Sequence, residues 1–118
     1  MTMIQPHILC KKGHIAENVI LPGAPQRVIR AAEFLDEARE IAFNREFRTI
    51  TGVYKGVPVT ITSTGIGGPS CAIAVEELIA CGGKYFIRIG SAGALKPGIN
   101  IGDLVIPIAA VREDGTSK

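Results

Sequence analysis

The chain has 118 residues, of which 47% are hydrophobic and 20% charged, with a formal net charge of +2. That length and composition suit one small domain with a real core and exclude a disordered tail. With no Lys/Arg run longer than Lys11-Lys12, nothing marks nucleic acid or an anionic membrane as a partner. Cys10, Cys71 and Cys81 lack C-x-x-C spacing and sit in or beside apolar stretches. They read as buried, reduced thiols and point to a cytoplasmic setting. The start of the chain has no basic segment leading into an apolar core, so no signal peptide is expected. The uncharged stretch 57–75 holds two prolines and three glycines, which does not suit a membrane span.

No repeat or linker divides the chain, and the periodicities predict alternating strands and helices. Residues 18–21 predict a strand, Pro22-Gly23-Ala24-Pro25 a turn, and residues 26–35 a helix in which Val28, Ile29, Ala32 and Leu35 recur at helical spacing. Residues 48–54 and 57–64 flank Lys55-Gly56 and predict a hairpin. A glycine-rich loop at 65–70 then enters a helix over 71–80, ended by Gly82-Gly83. Residues 85–89 predict a strand interrupted only by Arg88, Gly90-Ser91-Ala92-Gly93 a turn, and residues 103–111 a last strand. The expected class is α/β.

Three loops in this order suit an anion. Gly23 follows a strand and Arg27 occupies the first turn of the next helix, where a cation opposes the helix dipole by roughly 0.3–1 kcal/mol unless an anion shares the site. A solvated arginine after a turn explains the same pattern. Gly65-Ile66-Gly67-Gly68-Pro69-Ser70 places backbone donors between a strand and a helix, although it matches neither a Walker sequence nor G-x-G-x-x-G, and close packing is the competing explanation. Arg88 within an apolar strand implies a buried guanidinium. It would be met either by a bound anion, with Ser91 supplying a further donor, or by Glu33, Glu76 or Glu77. Arg45-Glu46 reads first as a surface pair, and His7 and His14 are uninformative alone.

Taken together, Pro6-His7-Ile8, residues 21–27 (LPGAPQR), 44–47 (NREF), 63–70 (STGIGGPS), 73–78 (IAVEEL), 87–93 (IRIGSAG) and 111–117 (VREDGTS) resemble the nucleoside phosphorylases, the group holding uridine phosphorylase and bacterial-type purine nucleoside phosphorylase. The resemblance runs nearly end to end and implies that residues 1–118 are a single partial domain. That domain is the amino-terminal half of the phosphorylase-type three-layer fold, with a mixed β-sheet flanked by helices.

The resemblance further implies phosphate binding by Gly23, Arg27, Arg88 and Ser91, with Arg45 reaching in from a neighbouring subunit. His7 is expected to meet the ribose end of a nucleoside held by the adjacent subunit, and Ala92 and Gly93 to line the nucleoside site. Glu46, Ile66 and Ser70 match positions that hold a monovalent cation such as K+ between subunits. No other cofactor is implied, phosphate is the co-substrate, and the intact protein is expected to form a dimer-based hexamer. Ala24 departs from the family's Asp in Pro-Gly-Asp-Pro, which puts charge balance and turn stability there in question.

The family's base pocket, ribose-gripping segment and leaving-base residue lie beyond residue 118, so this chain alone is expected to turn over little substrate. The implied reaction is phosphate-dependent cleavage of a nucleoside to free base and ribose 1-phosphate. The STGIGGPS and IAVEEL segments favour uridine, while Pro6-His7-Ile8 favours a purine nucleoside. A nucleoside hydrolase of the same superfamily and a non-catalytic, self-associating phosphate binder are the alternatives. Three arginines around one anion argue against the hydrolase.

Overall fold

The computed structural model describes residues 3–118. Its elements are β1 (Asn18–Pro22), α1 (Pro25–Ala32), β2 (Asp36–Asn44), β3 (Phe47–Tyr54), β4 (Val57–Thr62), α2 (Gly68–Ala80) and β5 (Tyr85–Ile89). The strands form one five-stranded sheet in the order β2-β3-β4-β1-β5. β2, β3 and β4 pair antiparallel, whereas β1 pairs parallel with both β4 and β5, so the sheet is mixed, as expected.

Alternation along the strands sends side chains to two separate cores. On one face Val28 and Ala32 of α1 pack with Ile50, Val59 and Ile61. On the other, Ala74, Leu78 and Cys81 at the α2 end join Val19, Leu21, Phe47 and the amino-terminal residues Ile8 and Cys10. Helices therefore flank the sheet on both faces. The second face also buries a polar patch. Thr49 and Thr62 bond through their hydroxyls at 3.0 Å, Thr51 and Thr60 at 2.8 Å, and Thr60 Oγ1 accepts from the Ala16 N–H at 2.8 Å. The threonines are stiff, β-favouring residues, and their hydroxyls anchor residues 14–16 to the sheet.

Several expectations are corrected. β2 was not foreseen, because Asp36, Glu37, Arg39 and Glu40 make it look like a loop. It is the outer edge of the sheet, where charge is tolerated and blunts further pairing. Arg48 of β3 fastens it, donating to Glu40 at 2.9 Å and lying 4.6 Å from the centre of the Phe43 ring. α1 ends at Ala32, short of residue 35, because Phe34 and Leu35 bond back three residues, to the carbonyls of Ala31 and Ala32. α2 starts at Gly68, three residues before the expected start, with Pro69 in its first turn, a position where its missing N–H costs nothing.

The strand expected over residues 103–111 does not form: no strand follows β5 among the described residues. Residues 90–118 are exposed throughout, including Leu95, Ile101, Leu104, Ile106 and Ile108. An apolar run without a neighbouring strand has no ladder to join. The extended segment raises the radius of gyration to 15.0 Å, against about 13–14 Å for a compact domain of this size. Cys10 and Cys81 are buried free thiols as expected, while Cys71 is only half-buried.

Candidate functional site

The three parallel strands β1, β4 and β5 all deliver their carboxyl ends to the same edge of the sheet, the usual place for a ligand in an open α/β fold. The loops there are tied together by backbone. Thr64 N–H donates to Pro22 O and Gly65 N–H to Gly23 O, both at 2.9 Å, so parallel pairing continues past the last strand residues. Arg88 pairs in register with Leu21 and projects towards the same loops. A Cβ placed on Gly23 would lie 3.5 Å from Arg88 Nη2 and 3.7 Å from Gly65 O. Glycine at position 23 thus leaves the space in which the guanidinium and two loop backbones converge.

Arg88 is exposed, which corrects the expectation of a buried guanidinium. Among the described residues β5 pairs only with β1, and its residues are mostly uncovered. Nor does Arg88 pair with Glu33, Glu76 or Glu77; the ion pairs among the described residues are His7–Glu77, Arg48–Glu40 and Lys84–Glu17. Its cation is therefore available to a ligand.

Arg27 lies in the exposed first turn of α1. Ala24 is the N-cap with extended dihedrals, φ −93° and ψ 140°, but it offers no side-chain cap, and no acidic residue occupies the first turn. The donors and the positive dipole end there stay uncompensated by protein carboxylates. Ser91, Ala92 and Gly93 follow β5 and are exposed, with nothing within 4 Å of a Cβ added at Gly93.

A second cluster surrounds Gly65, whose φ of +71° only glycine adopts easily. A Cβ there would meet Glu46 Cγ at 2.5 Å and Ser70 Oγ at 3.3 Å, and Ser70 Oγ donates to Ile66 O at 3.0 Å. The Glu46 side chain, on the β2–β3 turn, thus packs beside the loop that carries the Ile66 carbonyl and the Ser70 hydroxyl, so that a side chain ending in a carboxylate neighbours a carbonyl and a hydroxyl. Such an all-oxygen set suits a hard cation of low charge. No group of three or more His, Cys, Asp or Glu residues that could hold a metal occurs among the described residues. Glu46 is held in place because its carbonyl accepts from Ser63 Oγ at 2.6 Å.

Arg45 stands beside it on the β2–β3 turn, exposed, with φ +52° and no ion pair among the described residues. The surface pair with Glu46 is absent. No hydrogen bond joins His7 or Arg45 to the Gly23–Gly65–Arg88 loops among the described residues. His7 is fixed elsewhere: its Nδ1 is 2.6 Å from Glu77 Oε1, and Asn44 Nδ2 donates to its carbonyl at 2.7 Å.

Glu77, expected only as a possible partner of Arg88, and Asn44, not singled out in the sequence, are the residues that hold His7. For Glu77 the signal was present, since Ala74, Glu77, Leu78 and Cys81 follow helical spacing and put an acid on a buried stripe. The segment 114–117 also returns to the start of α2, where a Cβ on Gly68 would lie 2.8 Å from Asp114 Oδ2. Ser117 donates to Asp114 at 2.6 Å and holds its carboxyl below the usual range.

A mixed sheet with helices on both faces, and glycine loops gathered at the carboxyl ends of its parallel strands, defines an α/β protein with an open edge suited to a ligand. Residues 17–118 match the family described as the Phosphorylase superfamily, and the chain belongs to it. It is 64% identical over 115 residues to a uridine phosphorylase of Thermococcus kodakarensis, covering 98% of this chain and 42% of that protein. It is 46% identical to a guanosine phosphorylase of Halorubrum lacusprofundi, covering 97% of this chain and 47% of the relative.

Among solved structures, the uridine phosphorylase of Vibrio fischeri superposes with a TM-score of 0.82 at 49% identity, over 84% of this chain and 41% of the other. The purine nucleoside phosphorylase of Toxoplasma gondii, in complex with immucillin-H, gives 0.77 at 42% identity, over 80% and 38%. The chain thus spans less than half the length of each of these relatives. No helix among the described residues is long and apolar enough to cross a membrane.

Proposed function

We propose that the chain supplies the phosphate-binding part of a nucleoside phosphorylase, which cleaves the N-glycosidic bond of a nucleoside with phosphate to give free base and ribose 1-phosphate. The observation that carries this reading is the convergence of Arg88 Nη2 on Gly23 and Gly65, with no carboxylate to neutralise it among the described residues. A guanidinium presents paired donors that match phosphate oxygens, and the loop N–H groups and Ser91 hydroxyl add others. Arg27 extends the same positive field from the start of α1, and Arg45 serves the site of a neighbouring subunit.

Phosphate held there is aligned for attack at the anomeric carbon while the bond to the base breaks. His7 meets the ribose, Ala92 and Gly93 line the nucleoside, and Glu46, Ile66 and Ser70 hold K+ at a subunit contact within a cytoplasmic oligomer. Identity to the Thermococcus protein supports uridine as the substrate. The remaining base and ribose contacts come from outside these 118 residues.

The test is uridine cleavage by the protein at its native length, followed as uracil and ribose 1-phosphate with and without phosphate. Product release that requires phosphate, and that Arg88→Gln weakens mainly through the KM for phosphate by about 10- to 100-fold, is the expected result. Release of free ribose at the same rate without phosphate would instead identify a hydrolase.

A further inference from the structure

His7 has all but one of its polar groups engaged. Its N–H and that of Ile8 both donate to Glu77 Oε2, at 3.1 and 2.9 Å. Its carbonyl accepts from Asn44, and its Nδ1 lies 2.6 Å from Glu77 Oε1. Only Nε2 has no partner among the described residues, on a side chain that is 40% exposed.

Anchoring the amino-terminal segment explains the two backbone bonds, for which one carboxylate oxygen suffices. The ring contact occupies the other oxygen and has a separate consequence. A carboxylate only accepts, so Nδ1 must carry the ring hydrogen, and in the neutral imidazole Nε2 is then a lone-pair acceptor.

We propose that Glu77 is a positioning residue that fixes His7 as the Nδ1–H tautomer, so that Nε2 accepts a hydrogen bond from a sugar hydroxyl. This rests on the reading that His7 meets the ribose of a nucleoside. It also states the chemistry His7 selects: a free hydroxyl donates to Nε2, whereas the same sugar oxygen, once esterified by phosphate, has no hydrogen to give. Glu77 lies on the buried stripe of α2 and is 8% exposed, so it acts through His7 rather than touching substrate.

The experiment uses Glu77→Gln. The glutamine carbonyl keeps both backbone bonds, while its amide turns donors towards Nδ1 and drives the ring hydrogen to Nε2. Long-range nitrogen–proton correlation on protein of native length, labelled with 15N-histidine and saturated with phosphate, reads the tautomer directly. The expected result is Nδ1–H in the wild type and Nε2–H in the variant. Uridine binding is expected to weaken about tenfold in the variant, as loss of one hydrogen bond predicts, and uridine monophosphate to bind the wild type less well than uridine. If Glu77→Gln does not fold, the wild-type spectrum decides alone, since Nε2–H there overturns the proposal. An unchanged tautomer in folded Glu77→Gln also overturns it, and leaves the functional reading intact if uridine still shifts the His7 ring signals. Ring signals that uridine leaves unmoved in the wild type would overturn that reading, and the inference with it.

Discussion

Replacing Gly65 by alanine probes the tightest point where the two loop clusters meet. At φ +71° an L-residue costs about 1–2 kcal/mol relative to glycine. The new Cβ would also stand 2.5 Å from Glu46 Cγ, so that side chain must leave its rotamer, adding roughly 0.5–1.5 kcal/mol. Loss of unfolded-state freedom on replacing glycine returns about 0.4–1 kcal/mol. The net expectation is a destabilisation of about 2 kcal/mol. Gly56→Ala is the control, because φ there is +82° but nothing lies within 4 Å of its Cβ, leaving only the backbone cost.

Urea unfolding of both variants should give unchanged slopes and a clearly lower midpoint for Gly65→Ala. Adding Glu46→Ala to Gly65→Ala should recover most of the difference, a coupling that residues in direct contact are expected to show. A Gly65→Ala midpoint equal to that of Gly56→Ala would refute the claim that Glu46 is packed against the loop.

Ala24→Asp should raise stability by about 0.5–2 kcal/mol, read as a higher urea midpoint, because the N-cap of α1 has suitable dihedrals and no side-chain acceptor. Thr60→Val should cost about 1–3 kcal/mol by calorimetry, since it strands the Ala16 N–H inside the protein. Burial pushes the Cys10 thiol up to about 11 from an ordinary 9.0. The folded state therefore resists the thiolate, and the contribution of Cys10 is full below pH 9 and lost as pH rises through 11. A Cys10→Ala variant should show a flatter midpoint between those pH values than the wild type.

What the sequence made legible follows the strength of each local signal. β1, β3 and β4 carry period-two or continuous apolar patterns with turn residues between them, and the structure places them almost as expected. β2 was hidden because an edge strand needs only one partner and can be mostly charged. The error over Arg88 has the same origin: an apolar run states that a strand prefers cover, not that cover is present. The glycine loops were legible as strand-to-helix turns from composition and position alone. Their coincidence with Glu46 and Arg88 was not, because it depends on pairings between residues far apart in the chain. Glu77 could have been read from helical spacing, but its partner His7 stands 70 positions away.

The order of strands in the sheet also dictates when the loops can meet as the chain folds. β2, β3 and β4 form a meander closed by short turns and need only local encounters. β1 must then enter between strands that come much later in the sequence, with Asn18 beside Val59 on one side and Tyr85 on the other. Long-range parallel pairing is slow because loop closure precedes any reward from contacts. Gly23, Gly65 and Arg88 are therefore expected to come together only once β1 is seated between its neighbours. Refolding followed by a probe in the hairpin should run ahead of refolding followed by a probe at Arg88, and phosphate, if it binds at the proposed site, should stabilise only chains that have already seated β1.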